Sequence, residues 1–252
     1  MSYLKVVQFM EQVKWGEISR DPMYFQVMGL SRDQIHWWGV SGNPNAVHLL
    51  EQNLDKIHWG NLCNNPSPDA IRLLEENYDK ICWGSWVALS KNPAAIHILE
   101  SNPDMIDWFG LSQNPKAIHL LEQNPDKIRW KYLSMNPAAI HLLEQNPDKI
   151  DWGFLSTNPA AIHLLEQNPD KINWPLLSQN PAAIHLLEQN PDKIYWFYLS
   201  ANPAAIHLLE KNLEKISWLR AYNNPSIFNY DYGAIKRHIY DSGICEKLMQ
   251  NR

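Results

Sequence analysis

The chain has 252 residues, of which 45% are hydrophobic and 19% charged, and its formal net charge is -5. This apolar content is ample for a buried core, whereas the negative charge gives no general electrostatic reason to bind DNA or RNA. No run of 18 apolar residues occurs, and the chain does not begin with the pattern of a secretory signal peptide, so we expect neither a membrane span nor secretion. The three cysteines, Cys63, Cys82 and Cys245, form neither a CxxC pair nor a disulfide framework, which suits a reducing compartment.

A 22-residue motif organises most of the chain. It is clearest over residues 158–179, which read NPAAIHLLEQNPDKINWPLLSQ, and Asn180 begins the motif again. A fixed period of 20 to 50 residues is typical of solenoids, in which each repeat is too small to bury its own apolar face and packs against its neighbours. We therefore expect one elongated repeat domain.

The repeats can be placed in chain order from the Asn-Pro pairs and the tryptophans. Residues 1–20 resemble the second half of a repeat and are predicted to be an amino-terminal cap. A solenoid of nine repeats is predicted over 21–223, with a degenerate first repeat at 21–42. Full repeats then begin at Asn43, Asn65, Asn92, Asn114, Asn136, Asn158, Asn180 and Asn202. Residues 224–252 are predicted to form a carboxyl-terminal cap with one closing helix.

The repeat at 65–91 is enlarged by five residues. Two extra residues lie around Ser67-Pro68 and three around Gly84-Ser85-Trp86, and we take Trp83 as the tryptophan of this repeat. We expect a local bulge across which the stacking of the repeats continues.

Two helices per repeat are predicted. Asn158 is a favoured N-cap and Pro159 fits the first helical position, so Ala160 to Gln167 are predicted to be helical until the next Asn-Pro pair ends the helix. Pro175 would interrupt a helix that ran on from there. The second helix is therefore predicted to begin at the tryptophan, with the preceding residue as its cap: Asp107, Asp151, Asn173 and Ser217 cap well, whereas His58, Cys82, Arg129 and Tyr195 cap poorly.

The resulting fold class is all-α, an α-solenoid of 22-residue two-helix repeats with terminal caps. Its core is predicted from one side of the first helix and from the second half of the repeat, namely Ala139, Ile140, Leu142, Leu143, Ile150, Trp152 and Leu155. A leucine-rich repeat is the competing architecture, because the period overlaps and Leu-Ser-x-Asn recurs. That fold needs a strand of alternating leucines, and the apolar gaps of two and three residues in Ile-x-Trp-x-x-Leu do not provide one.

The units NPAAIHLLEQNPDKINWPLLS together with the closing NPSIFNYDYGAIK resemble the short Asn-Pro repeat proteins of giant DNA viruses that infect amoebae. The resemblance covers nearly all of the chain. It implies a viral repeat protein, found in the host cytoplasm or in the virus particle, with no catalytic motif to transfer. The chain ends at Arg252, without the further stretch found in many members.

A column of histidines recurs once per repeat, at His48, His97, His119, His141, His163, His185 and His207, with Arg72 in the same position. Two ligands of one metal ion lie only a few ångströms apart, while equivalent atoms in stacked repeats are separated by roughly 8 to 10 Å. The column therefore cannot share one ion, and we expect these histidines to bond a neighbouring backbone or water. No motif for a phosphate loop, a zinc protease or a serine hydrolase occurs, so we expect no enzyme, no cofactor and no metal.

What varies between repeats is the residue before the tryptophan, the two residues after it and the residue before Asn-Pro. The side chains predicted to bind a partner are at these variable positions: Arg129, Tyr132, Asp151, Phe154, Leu176, Tyr195, Tyr198 and Arg220. A regular solenoid commonly presents such a surface to another protein, and aromatic side chains favour contact energetics. The alternative is that the rings pack between repeats without a partner.

The predicted function is a non-enzymatic scaffold for a viral or host protein, with no membrane association. A nucleic-acid-binding solenoid, with bases stacked on the rings, is the first alternative, although each Lys-Asp pair in the repeats argues against a basic stripe. A structural component of the virus particle is the second. The sequence does not predict the oligomeric state.

Overall fold

The computed structural model describes residues 36–221 together with 224 and 226. The chain divides into two compact blocks with the boundary between Asp107 and Trp108. Within the described residues, the amino-terminal block comprises 36–107 and the carboxyl-terminal block comprises 108–221, 224 and 226. The predicted amino-terminal cap at 1–20 lies outside these residues, as do most of the degenerate repeat at 21–42 and nearly all of the predicted cap at 224–252.

Most repeats contain four short helical segments, which the repeat at 158–179 shows most clearly, whereas the repeat from Asn114 has no 3-10 turn before its first α-helix. A 3-10 turn over Pro159–Ala161 leads into an α-helix over Ile162–Gln167, and a second 3-10 turn over Pro169–Lys171 precedes an α-helix over Trp174–Leu177. We call the two α-helices of a repeat the first helix and the Trp helix. The described residues contain no strand, so the all-α solenoid is confirmed and the leucine-rich repeat is excluded there.

The predicted first helix is observed, but it begins with a 3-10 turn. Asn158 does cap the segment, since its Oδ1 accepts from the amide of Ala160 at 3.0 Å. The amide of Ala161, however, donates to the backbone carbonyl of Asn158, which lies three residues earlier as in a 3-10 turn. Ala161 has φ of -97° and ψ of 12°. These angles depart from α-helical values, so the α-helix begins only at Ile162.

The helices have the following bounds. In the amino-terminal block the α-helices are Trp37–Ser41, Val47–Glu51, Trp59–Leu62, Pro68–Glu76, Trp86–Lys91 and Ile96–Ser101. The 3-10 turns of that block are Pro44–Ala46, Leu54–Lys56, Tyr78–Lys80, Trp83–Ser85, Pro93–Ala95 and Pro103–Met105. In the carboxyl-terminal block the α-helices are Trp108–Gln113, Ile118–Gln123, Trp130–Leu133, Ile140–Gln145, Trp152–Leu155, Ile162–Gln167, Trp174–Leu177, Ile184–Gln189, Trp196–Leu199, Ile206–Glu210 and Trp218–Ala221. The 3-10 turns of that block are Pro125–Lys127, Pro137–Ala139, Pro147–Lys149, Pro159–Ala161, Pro169–Lys171, Pro181–Ala183, Pro191–Lys193, Pro203–Ala205 and Leu213–Lys215.

The core of each full repeat is built from one alanine and two leucines, except that Ala221 takes the place of the second leucine in the last repeat. In the repeat from Asn136, Ala139, Leu143 and Leu155 have no exposed surface, and Leu142 is also buried. Each fully buried leucine stabilises the fold by about 1.5 to 3 kcal/mol. The prediction that Ile140, Ile150 and Trp152 belong to this core is wrong, because all three are only half-buried.

Lysine covers the tryptophan. The ammonium of Lys171 lies 4.4 Å from the centre of the Trp152 ring in the preceding repeat. The same contact recurs at 4.5 to 4.8 Å for Lys127 on Trp108, Lys149 on Trp130, Lys193 on Trp174 and Lys215 on Trp196. Each such cation-π contact contributes about 0.5 to 1 kcal/mol at an exposed site. One face of the indole ring is therefore directed toward its own repeat, and the lysine ammonium covers the other face.

An asparagine ladder connects the repeats. The side chain of Asn158 is fully buried, and its Nδ2 donates to the backbone carbonyls of Ser134 at 3.0 Å and Asn136 at 3.1 Å, 24 and 22 residues earlier. The same pair of bonds, at 2.9 to 3.1 Å, is made by Asn136, Asn180, Asn202 and Asn224. Both amide hydrogens and the carbonyl oxygen of this side chain are thereby satisfied.

A serine ladder runs beside it. The Oγ of Ser156 accepts from the amide of Asn173, 17 residues later, at 3.0 Å and donates to the carbonyl of Trp152 at 2.8 Å. Ser112, Ser134, Ser178 and Ser200 make the equivalent contacts in the carboxyl-terminal block. In both ladders the buried polar groups are hydrogen-bonded. Backbone turns of neighbouring repeats can therefore pack directly on one another without leaving a buried donor or acceptor unpaired.

The enlarged repeat keeps the asparagine contact. Asn92 donates to the carbonyls of Cys63 and Asn65, both at 2.9 Å, over 29 and 27 residues. The predicted continuation of the stacking across the extra residues is thus confirmed. Ser67-Pro68 lengthen the first helix to Pro68–Glu76, and the other three extra residues form the turn Trp83–Ser85.

The assignment of Trp83 as the tryptophan of this repeat is wrong. The Trp helix begins at Trp86, which is 3% exposed, whereas Trp83 is 77% exposed. A second correction concerns His58, which does cap its helix, since its Nδ1 accepts from the amide of Asn61 at 3.0 Å. Arg129 and Tyr195 make no side-chain cap bond, as predicted, while Asp151 and Asn173 do.

Candidate protein-binding surface

The predicted binding residues all lie at the starts of the Trp helices of the carboxyl-terminal block. Tyr132, Phe154, Leu176, Tyr198 and Arg220 each occupy the second position after the tryptophan and are half-buried. Arg129, Asp151 and Tyr195 precede the tryptophan, and Tyr195 is 49% exposed. The short Trp helices place these side chains at the same point of each repeat.

Three rings from consecutive repeats form a first aromatic cluster, consisting of Phe109, Tyr132 and Phe154. The centres of the Phe109 and Tyr132 rings are 4.2 Å apart in an edge-to-face arrangement, and those of Tyr132 and Phe154 are 5.7 Å apart. Lys131 lies over the Phe154 ring at 5.1 Å. Such ring pairs contribute about 0.5 to 1.5 kcal/mol beyond the area they bury.

A second aromatic cluster consists of Tyr195, Phe197 and Tyr198, with their ring centres 5.4 to 6.5 Å apart. The guanidinium of Arg220 lies 5.3 Å from the Phe197 ring and 5.7 Å from the Tyr198 ring. Its Nε is buried and has no hydrogen-bond partner among the described residues.

The remaining predicted residues have other contacts. A carboxylate oxygen of Asp151 accepts from the amide of Phe154 at 3.0 Å, so this side chain caps its own helix. The exposed Arg129 donates its backbone amide to Ser112, and Leu176 is half-buried outside the two clusters. The structure thus brings together Tyr132 with Phe154, and Tyr195 with Tyr198 and Arg220.

Three residues of the clusters were not predicted: Phe109, Lys131 and Phe197. All three directly follow a tryptophan, a position that varies between repeats as much as the one after it. In the repeat that contains Phe109, the second position after the tryptophan is Gly110. The aromatic ring of this repeat therefore lies one position earlier than Tyr132 and Phe154 do in theirs. Comparing whole clusters of variable positions, and not single columns, would have included these residues.

The variable positions are more basic than the rest of the chain. From Arg129 to Arg220 they carry three cations, Arg129, Lys131 and Arg220, against the single carboxylate of Asp151. The whole chain, by contrast, has a net charge of -5. From Arg129 to Arg220, the variable positions around the aromatic clusters therefore carry a net positive charge.

The histidine column has a different partner from the one predicted. The Nε2 of His141 lies 2.9 Å from a carboxylate oxygen of Glu122 in the preceding repeat, and His163 and His185 contact Glu144 and Glu166 at the same distance. His207 and Glu188 are 2.7 Å apart. These side chains are nearly half exposed, so each pair contributes at most about 1 kcal/mol. Across the described residues, no three His, Cys, Asp or Glu side chains are grouped to hold a metal.

A groove of about 330 Å³ separates two neighbouring repeats on the surface that carries the histidines. Its lining includes Glu144, Trp152, His163 and Lys171. These groups are already engaged with one another, because His163 contacts Glu144 and Lys171 covers Trp152.

Comparison of the chain with protein-family models, with curated proteins and with solved structures finds no match. The geometry of the described residues is therefore the basis for assigning a function. No helix among them is both long and apolar enough to span a lipid bilayer.

Proposed function

We propose that the chain is a non-enzymatic repeat scaffold that binds another protein through the two aromatic clusters. The observation that carries this proposal is the concentration of partly exposed rings at the positions that differ between otherwise near-identical repeats. Aromatic and arginine side chains dominate the binding energy of protein interfaces, because they bury a large area at a small entropic cost. Neighbouring rings cover one side of each ring and fix its position, and the other side can contact a partner.

The charge of the surface favours an acidic partner segment with apolar side chains. Lys131 and Arg220 lie on the rings, and the buried Nε of Arg220 lacks an acceptor within the described chain. A carboxylate of the partner would pair with these two cations while apolar side chains cover the rings. The net positive charge of the variable positions would also favour the encounter.

Nucleic acid is the alternative ligand. Single-stranded nucleic acid binds to aromatic platforms flanked by cations, and both features are present. The rings of the first cluster, however, contact one another edge to face at 4.2 Å and tilted at 5.7 Å, which leaves no room for a base between them. Protein is therefore the ligand that the geometry supports better.

A direct test compares three fluorescent probes by anisotropy with the full chain. The probes are an acidic peptide pool rich in Leu and Phe, a basic pool with the same apolar residues, and a single-stranded oligonucleotide. The acidic pool is expected to bind, and the triple variant Tyr132→Ala, Phe154→Ala, Tyr198→Ala is expected to weaken that binding by about tenfold or more.

The matched control replaces one exposed histidine in each of the same three repeats, with His119→Ala, His141→Ala and His185→Ala, and should leave binding unchanged. A thermal melt of both variants shows whether they are folded. Equal binding by the wild type and the ring variant would contradict the proposal. Salt-dependent binding of the oligonucleotide in place of the acidic peptides would establish the alternative.

We further propose, from the resemblance described above, that the protein is viral and acts in the host cytoplasm or as a component of the virus particle. Proximity labelling in infected cells, with mass spectrometry of purified particles, distinguishes these locations. Neighbours that are mainly host cytoplasmic proteins support a scaffold in the cell. Recovery of the chain in stoichiometric amount with capsid proteins supports a structural role in the particle.

A further inference from the structure

The two cysteines that the structure describes stand at positions that contact each other in ordinary repeats. Cys63 occupies the place of the ladder serine, directly after a buried leucine. Cys82 occupies the place that precedes the tryptophan in ordinary repeats, and the extra turn Trp83–Ser85 separates it from Trp86. In the neighbouring repeat, the amide of Asp107 donates to Ser90 at these same two positions, at 3.0 Å. The fold therefore places the two cysteines on either side of one boundary between repeats.

A third group joins them. The extra turn Trp83–Ser85 of the enlarged repeat brings the buried hydroxyl of Ser85 to 3.0 Å from the thiol of Cys82. Burial raises the pKa of Cys63, the charge of Cys82 raises it further, and the same Ser85 hydroxyl lowers it through a hydrogen bond. Both sulfur atoms thus lie against one hydroxyl group, a feature that no ordinary repeat has.

We propose that Cys82 and Cys63 form an oxidisable thiol pair, in which a peroxide oxidises Cys82 and Cys63 then closes a disulfide between two neighbouring repeats. This inference is independent of the proposed binding surface, which lies in the other block. It assigns a function to the enlarged repeat, whose extra residues supply Ser85 and expose the segment around Cys82.

The two thiols differ in the way that such a reaction requires. Cys82 is exposed, and the hydrogen bond from Ser85 lowers its pKa below the ordinary value for cysteine. Burial raises the pKa of Cys63 to about 12, so this residue stays a thiol. Because the thiolate is the nucleophile, Cys82 is the residue that attacks the oxidant, and Cys63 is the one that resolves the product.

The chemistry balances with hydrogen peroxide as the oxidant. The Cys82 thiolate attacks one peroxide oxygen, the S–O bond forms as the O–O bond breaks, and hydroxide leaves and takes up a proton as water. Cys63 then attacks the sulfenic acid, the S–S bond forms as the S–O bond breaks, and the departing hydroxyl leaves with the Cys63 proton as a second water. Two thiols are oxidised by two electrons in total, and a small-molecule thiol reverses the reaction.

The test uses the full chain, reduced and then treated with graded hydrogen peroxide, alkylated and digested with trypsin. Trypsin separates Cys63 in peptide 57–72 from Cys82 in peptide 81–91, so a disulfide between them gives one linked species. We expect this species to form first and to disappear on reduction, with Cys245 still alkylated. We also expect Cys82 to be alkylated at least about tenfold faster than Cys63 at neutral pH.

Two variants make the assignment sharp. Cys63→Ser restores the residue of the other repeats, so it should fold, and it should halt the reaction at a Cys82 sulfenic acid that a cyclic diketone captures. Ser85→Ala should slow the alkylation of Cys82 without removing either thiol. The proposal is overturned if wild-type Cys82 goes on to sulfinic acid without a link to Cys63, or if Cys245 takes its place in the disulfide.

Discussion

The regular repeats from Asn136 onward and the enlarged repeat from Asn65 to Lys91 differ in local structure but share one set of buried contacts. In the regular repeats the first helix follows a 3-10 turn, and a serine accepts the amide of the residue before the tryptophan. In the enlarged repeat the first helix is continuous over Pro68–Glu76, and Cys63 replaces the serine at its boundary. The asparagine side chain nevertheless reaches the same two carbonyls in both.

This difference shows which contact sets the register of the stack. Five extra residues change the spacing of the tryptophans and the start of the first helix, yet they leave the asparagine ladder intact. The extra residues are accommodated between the ladder positions, in the lengthened helix and in the turn Trp83–Ser85. The ladder asparagine therefore determines how one repeat sits on the previous one, and the other features adapt to it.

The largest effect is expected from removing a ladder asparagine. Asn158→Ala leaves the carbonyls of Ser134 and Asn136 and the amide of Ala160 without their partner in a buried site. We expect a loss of about 3 to 5 kcal/mol in the free energy of unfolding, measured by urea denaturation. Asn92→Ala, in the repeat that follows the enlarged one, should cost as much, because Asn92 makes the same three bonds.

The control for this prediction is the second asparagine of the same repeat. Asn168 is half-buried, and its Nδ2 bonds only to Leu164 within its own first helix, at 2.9 Å. Asn168→Ala should therefore cost about 1 kcal/mol. A cost for Asn168→Ala equal to that of Asn158→Ala, or a much smaller cost for Asn92→Ala, would show that the ladder does not define the stack in both regions.

A smaller effect should distinguish the two regions at the serine ladder. Ser156→Cys replaces a strong acceptor of the Asn173 amide with a weak one, and we expect a loss of about 1 to 2 kcal/mol. Cys63→Ser makes the reverse change beside Ser85 and should alter the stability by less than about 0.5 kcal/mol. If Cys63→Ser raised the free energy of unfolding by as much as Ser156→Cys lowers it, serine would be preferred equally at both positions. The enlarged repeat would then not differ from the regular repeats at this contact.

Much of this fold could be predicted from the sequence. The period predicted an all-α solenoid, and the position of Pro175 correctly predicted that the second helix begins at Trp174 with Asn173 as its cap. These predictions succeeded because proline and capping residues act over a few residues of backbone. Asn158 was likewise identified as a cap from its place before Pro159.

What the sequence did not reveal depends on contacts between repeats. The Oδ1 of Asn158 caps its own helix. Nothing in the neighbouring sequence indicates that its Nδ2 donates to backbone carbonyls 22 and 24 residues earlier. The recurrence of Leu-Ser-x-Asn in nearly every repeat was the available signal. The cation over Trp152 comes from Lys171 in the next repeat, and the choice of Trp86 over Trp83 follows from which indole the stack can bury.

The binding residues were predicted in part for the same reason. Variation between repeats located the right end of the Trp helix, but the clusters also recruit Phe109, Lys131 and Phe197 from the adjacent column. Asp151 belongs to that variable surface by position and caps a helix by contact. Only the structure shows whether a side chain at a variable position contacts the aromatic clusters or, like that of Asp151, caps its own helix.

The most direct test of the account is the deletion of one whole repeat, residues 158–179. The deletion joins Thr157 to Asn180 and places Asn180 22 residues after Asn136 and 24 after Ser134, the separations that the ladder uses. The account predicts a folded chain with unchanged helical circular dichroism per residue and a cooperative urea transition, whereas deleting the half repeat 158–168 should abolish folding. Unfolding of the chain by the 22-residue deletion, or equal tolerance of both deletions, would contradict it.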